Sequence, residues 1–96
     1  MILEVAILNV IEGKEKAFER DFIKAGKLIS SISGYINHSL KKCIETKNQY
    51  ILLVNWESVE AHEINFRTSN QYQEWKKLLH HYYFPFPKVE HYEKLI

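Results

Sequence analysis

Two segments of this chain are apolar on both sides of an extended backbone, and that restricts the fold more than any other feature. Residues 2–11, ILEVAILNVI, run almost unbroken in apolar and β-branched side chains, and YILLVNW at 50–56 does the same. Such strands belong in the middle of a sheet and need cover on both faces. In a chain of 96 residues there is room for one compact domain, so the cover comes from its own helices or from another copy.

After Gly13 the period of the apolar residues changes. Phe18, Phe22, Ala25, Ile29 and Ile32 recur at steps of four and three, which predicts a helix whose other side carries Lys14, Glu15, Lys16, Glu19, Arg20 and Lys24. Gly34 supplies its C-terminal stop. Residues 35–46 and 49–56 read as two strands of a hairpin turning at Lys47 and Asn48. Ser58 has N-cap chemistry, and Glu60 and Ala61 open a helix that continues through Phe66. Thr68, Ser69 and Asn70 interrupt it before a second helical run in which Tyr72, Trp75, Leu78, Leu79 and Tyr82 share a face. Pro85 and Pro87 end that run. A last strand is expected from about Phe86 towards Leu95, at a sheet edge where the prolines' missing N–H groups cost no ladder bond.

The expected fold is therefore α+β: a ferredoxin-like β-α-β-β-α-β order, an antiparallel sheet with helices on one face, and a single domain over residues 1–96. One-sided helices leave the other apolar sheet face bare, larger than a monomer normally exposes. A homodimer with two sheets packed face to face resolves this.

Lys and Arg number 13 against 12 for Asp and Glu, a balance without the positive field that selects a phosphate backbone, so no nucleic acid is expected. The N-terminal run carries Glu4, lacks a basic region before it and is too short to span a bilayer. It reads neither as a signal peptide nor as a membrane anchor, and a cytoplasmic protein is expected. The lone Cys43 forms no internal disulfide, in keeping with a reducing compartment.

Gly-rich phosphate loops, paired-cysteine zinc patterns and nucleophile elbows are absent. His62-Glu63 begins like a zinc-protease motif, but Phe66 stands where the second histidine belongs. His80 and His81 diverge by about 100° on a helix, so no metal site is expected. What remains is a concentration of aromatic and imidazole groups, densest in HHYYFPFPKVEHY at 80–92. Such a lining suits a flat aromatic ligand held by stacking, and an imidazole can take its phenolic or benzylic proton. Each group has a plainer reading beside this one. Trp75 is spaced as helix core, His62 reads equally as a hydrogen-bonded core histidine, and Arg67 as a helix terminator. His80 points away from the apolar face into solvent, and His81 flanks that face. His38 and His91 divide between pocket and dimer interface.

The opening ILEVAILNVIEGKEKAFERDF, the Gly34-Tyr35 step, the strand YILLVNWES and the tail from His62 together resemble the antibiotic biosynthesis monooxygenase family of dimeric α+β barrels. W-E-x-x-E-A-H at the turn into the second helical region and F-R-x-S-x-x-Y-x-x-W after it carry most of that resemblance. It implies a homodimeric barrel with one pocket per subunit between sheet and helices. It also implies, by likeness to characterised members, a cofactor-free oxygenase acting on a small aromatic substrate and dioxygen. Carried onto this chain, His62 handles the proton, Asn9 and Arg67 orient substrate oxygens, and Phe66, Tyr72 and Trp75 hold the rings. His81 and Phe84 close one end of the pocket. A haem-degrading branch is similar in its strand-one asparagine, matched by Asn9. However, Asn65 and Trp75 stand where its tryptophan and iron-binding histidine are expected, leaving only His80 or His81 as shifted ligands. A pocket that binds without catalysis is the third reading.

Overall fold

The computed structural model describes residues 1–96. The chain forms β1 (Ile2–Asn9), α1 (Glu15–Ile29), β2 (Tyr35–Lys42) and β3 (Gln49–Trp56). A six-residue π-helical turn (Ala61–Phe66), α2 (Asn70–Leu79), a 3-10 turn (His80–Tyr82) and β4 (Val89–Glu93) follow. The sheet runs β2-β3-β1-β4 with every pairing antiparallel, the ferredoxin-like order that the hydrophobic periods predict. The two strands apolar on both sides are its central pair.

Alternation along these strands assigns the faces. Glu4, Ala6 and Leu8 of β1 and Tyr50, Leu52, Val54 and Trp56 of β3 are buried beneath the helices, where α1 adds Phe18, Phe22, Ala25 and Ile29. Leu3, Val5, Ile51 and Leu53 point the other way and stay half-exposed, with Ile7 at 38%. Helices thus cover one apolar face and leave the second open.

Several sequence expectations shift at their ends. β1 stops at Asn9, although Val10 still makes an isolated bridge to Tyr83. β2 ends at Lys42 rather than at 46, and β4 is shorter than expected, spanning Val89–Glu93. Asn48 takes φ 66° at the hairpin turn, a left-handed conformation that asparagine tolerates. Ser58 does cap: its Oγ accepts from the Ala61 N–H at 3.2 Å. The helix it opens then widens into a π turn, in which the Arg67 N–H reaches back to the His62 carbonyl at 3.2 Å. Such insertions re-aim side chains and recur at functional sites. Ser69 restarts the chain as α2, its Oγ accepting from the Tyr72 N–H at 3.1 Å.

Candidate functional site

A cavity of about 40 Å³ lies between the helix-covered face of β1 and β3 and the π turn and α2. On the same measure one water needs about 10–15 Å³, so the space takes about three atoms of water size and no aromatic ring system as it stands. Phe66 and Trp75 form its apolar wall in an edge-to-face pair 5.4 Å between ring centres. Tyr72, His80, Phe86 and Pro87 surround the side nearer solvent, and Phe86 is 61% exposed.

One polar cluster faces this space. Glu4 is 5% exposed and His62 3%, both among core residues. The Trp56 indole N–H donates to Glu4 Oε1 at 2.9 Å, and the Trp56 and His62 rings stack 5.5 Å apart. His62 Nε2 lies 3.4 Å from the same carboxylate oxygen, while its Nδ1 is 2.8 Å from Nε2 of His91. Each member comes from a different element, β1, β3, the π turn and β4, so the sheet register and the π turn set the geometry together.

Burial governs the protonation of this pair. It pushes the Glu4 carboxyl up to about 7, although the Trp56 hydrogen bond and the Arg67 charge pull the other way. It pushes His62 down to about 3, helped by the positive fields of Arg67 and His91. Below pH 7 Glu4 is mostly neutral and offers His62 no counter-charge, so the imidazole stays uncharged. The stability consequences have opposite signs. The Glu4 contribution is complete below its unfolded value of 4.5 and is lost as pH rises through about 7. The His62 contribution is complete above 6.5 and is lost as pH falls through about 3. Between them the slopes oppose, giving the native protein a flat melting temperature over that overlap. Glu4→Gln removes one slope, and its melting temperature is expected to climb from acid pH to about 6.5. Circular dichroism melts at successive pH values check this; a profile parallel to that of the native chain would contradict it.

Of the residues singled out from the sequence, His62, Phe66, Arg67, Tyr72 and Trp75 meet at the cavity. Asn9 does not. It follows Leu3, Val5 and Ile7 in the alternation, opposite Gln49, so its exposed side chain lies on the open face while its carbonyl accepts from the Phe84 N–H. His81 is exposed and its ring bonds to the Leu78 carbonyl at 3.1 Å. Phe84 is 79% exposed, because the bridge between Val10 and Tyr83 turns Tyr83 inward and its neighbour outward. His80, expected in solvent, is half-buried beside Tyr72, Tyr83 and Phe86, since the 3-10 turn rotates it back towards the cavity. Sequence reading misses Glu4 and the role of His91 as a partner of His62, and it holds Tyr83 only as one of the aromatic groups of the 80–92 stretch. The signal for Glu4 was present: a carboxylate inside a strand otherwise apolar on both sides.

A family model described as antibiotic biosynthesis monooxygenase matches residues 1–78. The uncharacterized protein YczJ of Bacillus subtilis (strain 168) is 52% identical over 93 residues, covering 97% of this chain and 98% of YczJ. A Bordetella bronchiseptica protein whose name assigns it to the same family superimposes with a TM-score of 0.94 at 35% identity, covering 99% of this chain and 97% of that one. SnoaB of Streptomyces nogalater, a cofactor-independent oxygenase, shares the fold at a TM-score of 0.85 and 15% identity, over 99% of this chain and 93% of its own. The match of one family model across most of the chain, with relatives this similar end to end, means that the protein belongs to the antibiotic biosynthesis monooxygenase family.

Proposed function

We propose that the protein is a cofactor-independent monooxygenase that uses dioxygen to oxidise an electron-rich aromatic compound of the phenol, anthrone or quinol type. The observation that carries this reading is a buried carboxyl, Glu4, held against neutral His62 at the wall of an aromatic cavity. A carboxylate whose proton affinity sits near neutrality is suited to accept a phenolic proton and to return it. Glu4, more than His62, is then the base, because His62 is held too far below neutrality to keep a proton.

In this scheme the substrate hydroxyl gives its proton to the Glu4 carboxylate, and the resulting anion is drawn to Arg67. The anion reduces dioxygen and the two combine as a peroxide at the ring carbon. That peroxide takes a proton back from Glu4. Loss of the carbon-bound hydrogen as a proton then forms the new carbonyl as the O–O bond breaks, and the departing hydroxide leaves as water. All four electrons taken up by dioxygen come from the substrate. Phe66 and Trp75 supply the stacking wall. Entry of a ring requires Phe86 and Pro87 to move outward, since the space between them and β1 is too small for one.

Oxygen uptake by chelator-treated, haem-free protein tests this on a panel of anthrones and naphthalenediols, corrected for spontaneous oxidation. Saturable, protein-dependent uptake is expected. Uptake that appears only after haem or a metal is added would replace this reading with a cofactor-dependent one, and uptake by neither form would leave a binding protein.

The working unit of this proposal is a homodimer joined through the open sheet face of Leu3, Val5, Ile7, Ile51 and Leu53, a contiguous apolar surface of the kind that marks an interface. Leu53→Lys places a charge at its centre and is expected to halve the mass seen by light scattering without altering the circular dichroism spectrum. An unchanged mass would reject this face as the contact.

A further inference from the structure

We infer that His91 is the outer end of a proton relay, Glu4 to His62 to His91, through which the cavity carboxyl exchanges its proton with solvent. The relay serves the base proposed above and rests on that reading, but its geometry stands on its own. His62 sits over the β1–β4 pair, and each of its ring nitrogens has a titratable neighbour: Glu4 Oε1 at 3.4 Å and His91 Nε2 at 2.8 Å. A histidine serving structure alone is pinned by a partner of fixed polarity, such as a backbone carbonyl, which selects one tautomer. Neither partner of His62 is fixed in this way: the bond to His91 is formed, and the Glu4 oxygen stands 3.4 Å from Nε2, able to accept from one tautomer or donate to the other once the ring tilts towards it.

The two arrangements differ by one proton. With Glu4 ionised, His62 Nε2–H points at the carboxylate and His62 Nδ1 accepts from His91 Nε2–H. A proton arriving from water on His91 Nδ1 lets the His91 Nε2–H bond break as His62 Nδ1–H forms, and the His62 Nε2–H bond break as Glu4 O–H forms. The reverse sequence discharges the proton. His62 changes tautomer and never has to hold an extra charge in its buried position, where charging is most costly. The 3.4 Å span to Glu4 exceeds a well-formed hydrogen bond by about 0.3 Å, which a small ring tilt closes.

The outer end is open. His91 is half-buried on the edge strand β4, no protein group bonds to its Nδ1, and the one buried side-chain atom without a partner in the whole molecule is Asn48 Oδ1. His91 Nδ1 therefore reaches solvent. The other ionisable groups around the relay are few. β1 supplies Glu4, directly across the register from His91, and the π turn supplies His62 with Arg67 just beyond it. Glu93 shares the His91 face of β4, and Tyr83 and Tyr72 stand across the cavity.

Nitrogen-15 spectra of histidine-labelled protein between about pH 5 and 9 decide the matter without a substrate. His62 is expected to exchange Nε2–H for Nδ1–H as Glu4 takes up its proton near pH 7. Glu4→Gln keeps the side-chain shape and can still accept the Trp56 bond, and it should abolish the step at His62. If that variant does not fold, His91→Phe should remove the step at His62. A His62 that keeps one tautomer throughout, a His62 step that persists in Glu4→Gln, or a His62 step unchanged in His91→Phe would each overturn the relay. A tautomer step in a protein that takes up no oxygen would support the relay while sinking the oxygenase reading. Oxygen uptake with fixed tautomers would do the opposite.

Discussion

Glu4→Gln is expected to lower kcat/KM for aromatic oxidation about 10²- to 10⁴-fold, the usual contribution of a positioned general base. The substitution is nearly isosteric. Gln accepts the Trp56 N–H as the carboxylate does, and its amide can donate to an unprotonated His62 Nε2, so the core around residue 4 keeps its hydrogen bonds. What disappears is the capacity to take a proton. The pH dependence separates Glu4 from His62 as the acceptor. With Glu4 as base, kcat/KM climbs through about pH 7 and levels above it. With His62 as base, a group already deprotonated above about 3, the profile would be flat across the neutral range. Retention of more than about a tenth of the native rate in Glu4→Gln, together with a flat profile, would place the proton transfer elsewhere.

The choice between those two residues also marks where sequence reasoning stopped. Hydrophobic period resolves helix from strand wherever one face is polar, and it does so for α1, with Phe18 and Phe22 inward and Glu19 and Arg20 outward. In β1 it cannot choose a face, because Leu3, Val5 and Ile7 are as apolar as Ala6 and Leu8. Helices settle the matter by covering the even-numbered side, which buries Glu4 and leaves Asn9 on the open face. Asn9 enters the site only through likeness to a strand-one asparagine, and a likeness in sequence does not fix which way a side chain points when both directions are apolar.

His80 departs from its expected place in solvent for a different reason. A continued α-helix turns it outward by about 100° per residue, but α2 tightens after Leu79 into a 3-10 turn of about 120° per residue. Together with the φ of −117° at Leu79, that change brings His80 to the cavity mouth, and the Tyr82 hydroxyl donates to Asp21 of α1 at 2.5 Å. Strand alternation correctly separated His91 from Tyr92 but could not say which of them faced the helices. Only the pairing of β4 with β1, which sets His91 opposite Glu4, brings it to His62.

Gly34→Ala is expected to destabilise the protein by about 2–6 kcal/mol, the sum of two independent costs. Gly34 sits at φ +93°, where a side chain strains the backbone by about 1–3 kcal/mol. An added Cβ would also lie 2.5 Å from Cβ of Ala61, and forced overpacking of that kind costs about 1–3 kcal/mol. The chain has little freedom to yield there, since the Gly34 carbonyl is tied to the Glu57 N–H at 2.8 Å. At about 4–8 °C per kcal/mol for a domain of this size, a fall in melting temperature of about 8 °C or more is expected. Adding Ala61→Gly removes the steric contact and leaves the backbone strain, so the double variant should recover part of the loss; no recovery would place the whole cost in the backbone. Ala61 opens the π turn and immediately precedes His62, so relief by displacement would push His62 away from Glu4 and His91. Folded Gly34→Ala protein should consequently lose the coupled histidine tautomer step as well as stability. A melting temperature within about 3 °C of the native value would show that the Gly34 and Ala61 backbones separate at little cost, and that the π turn is held in place by its own packing instead.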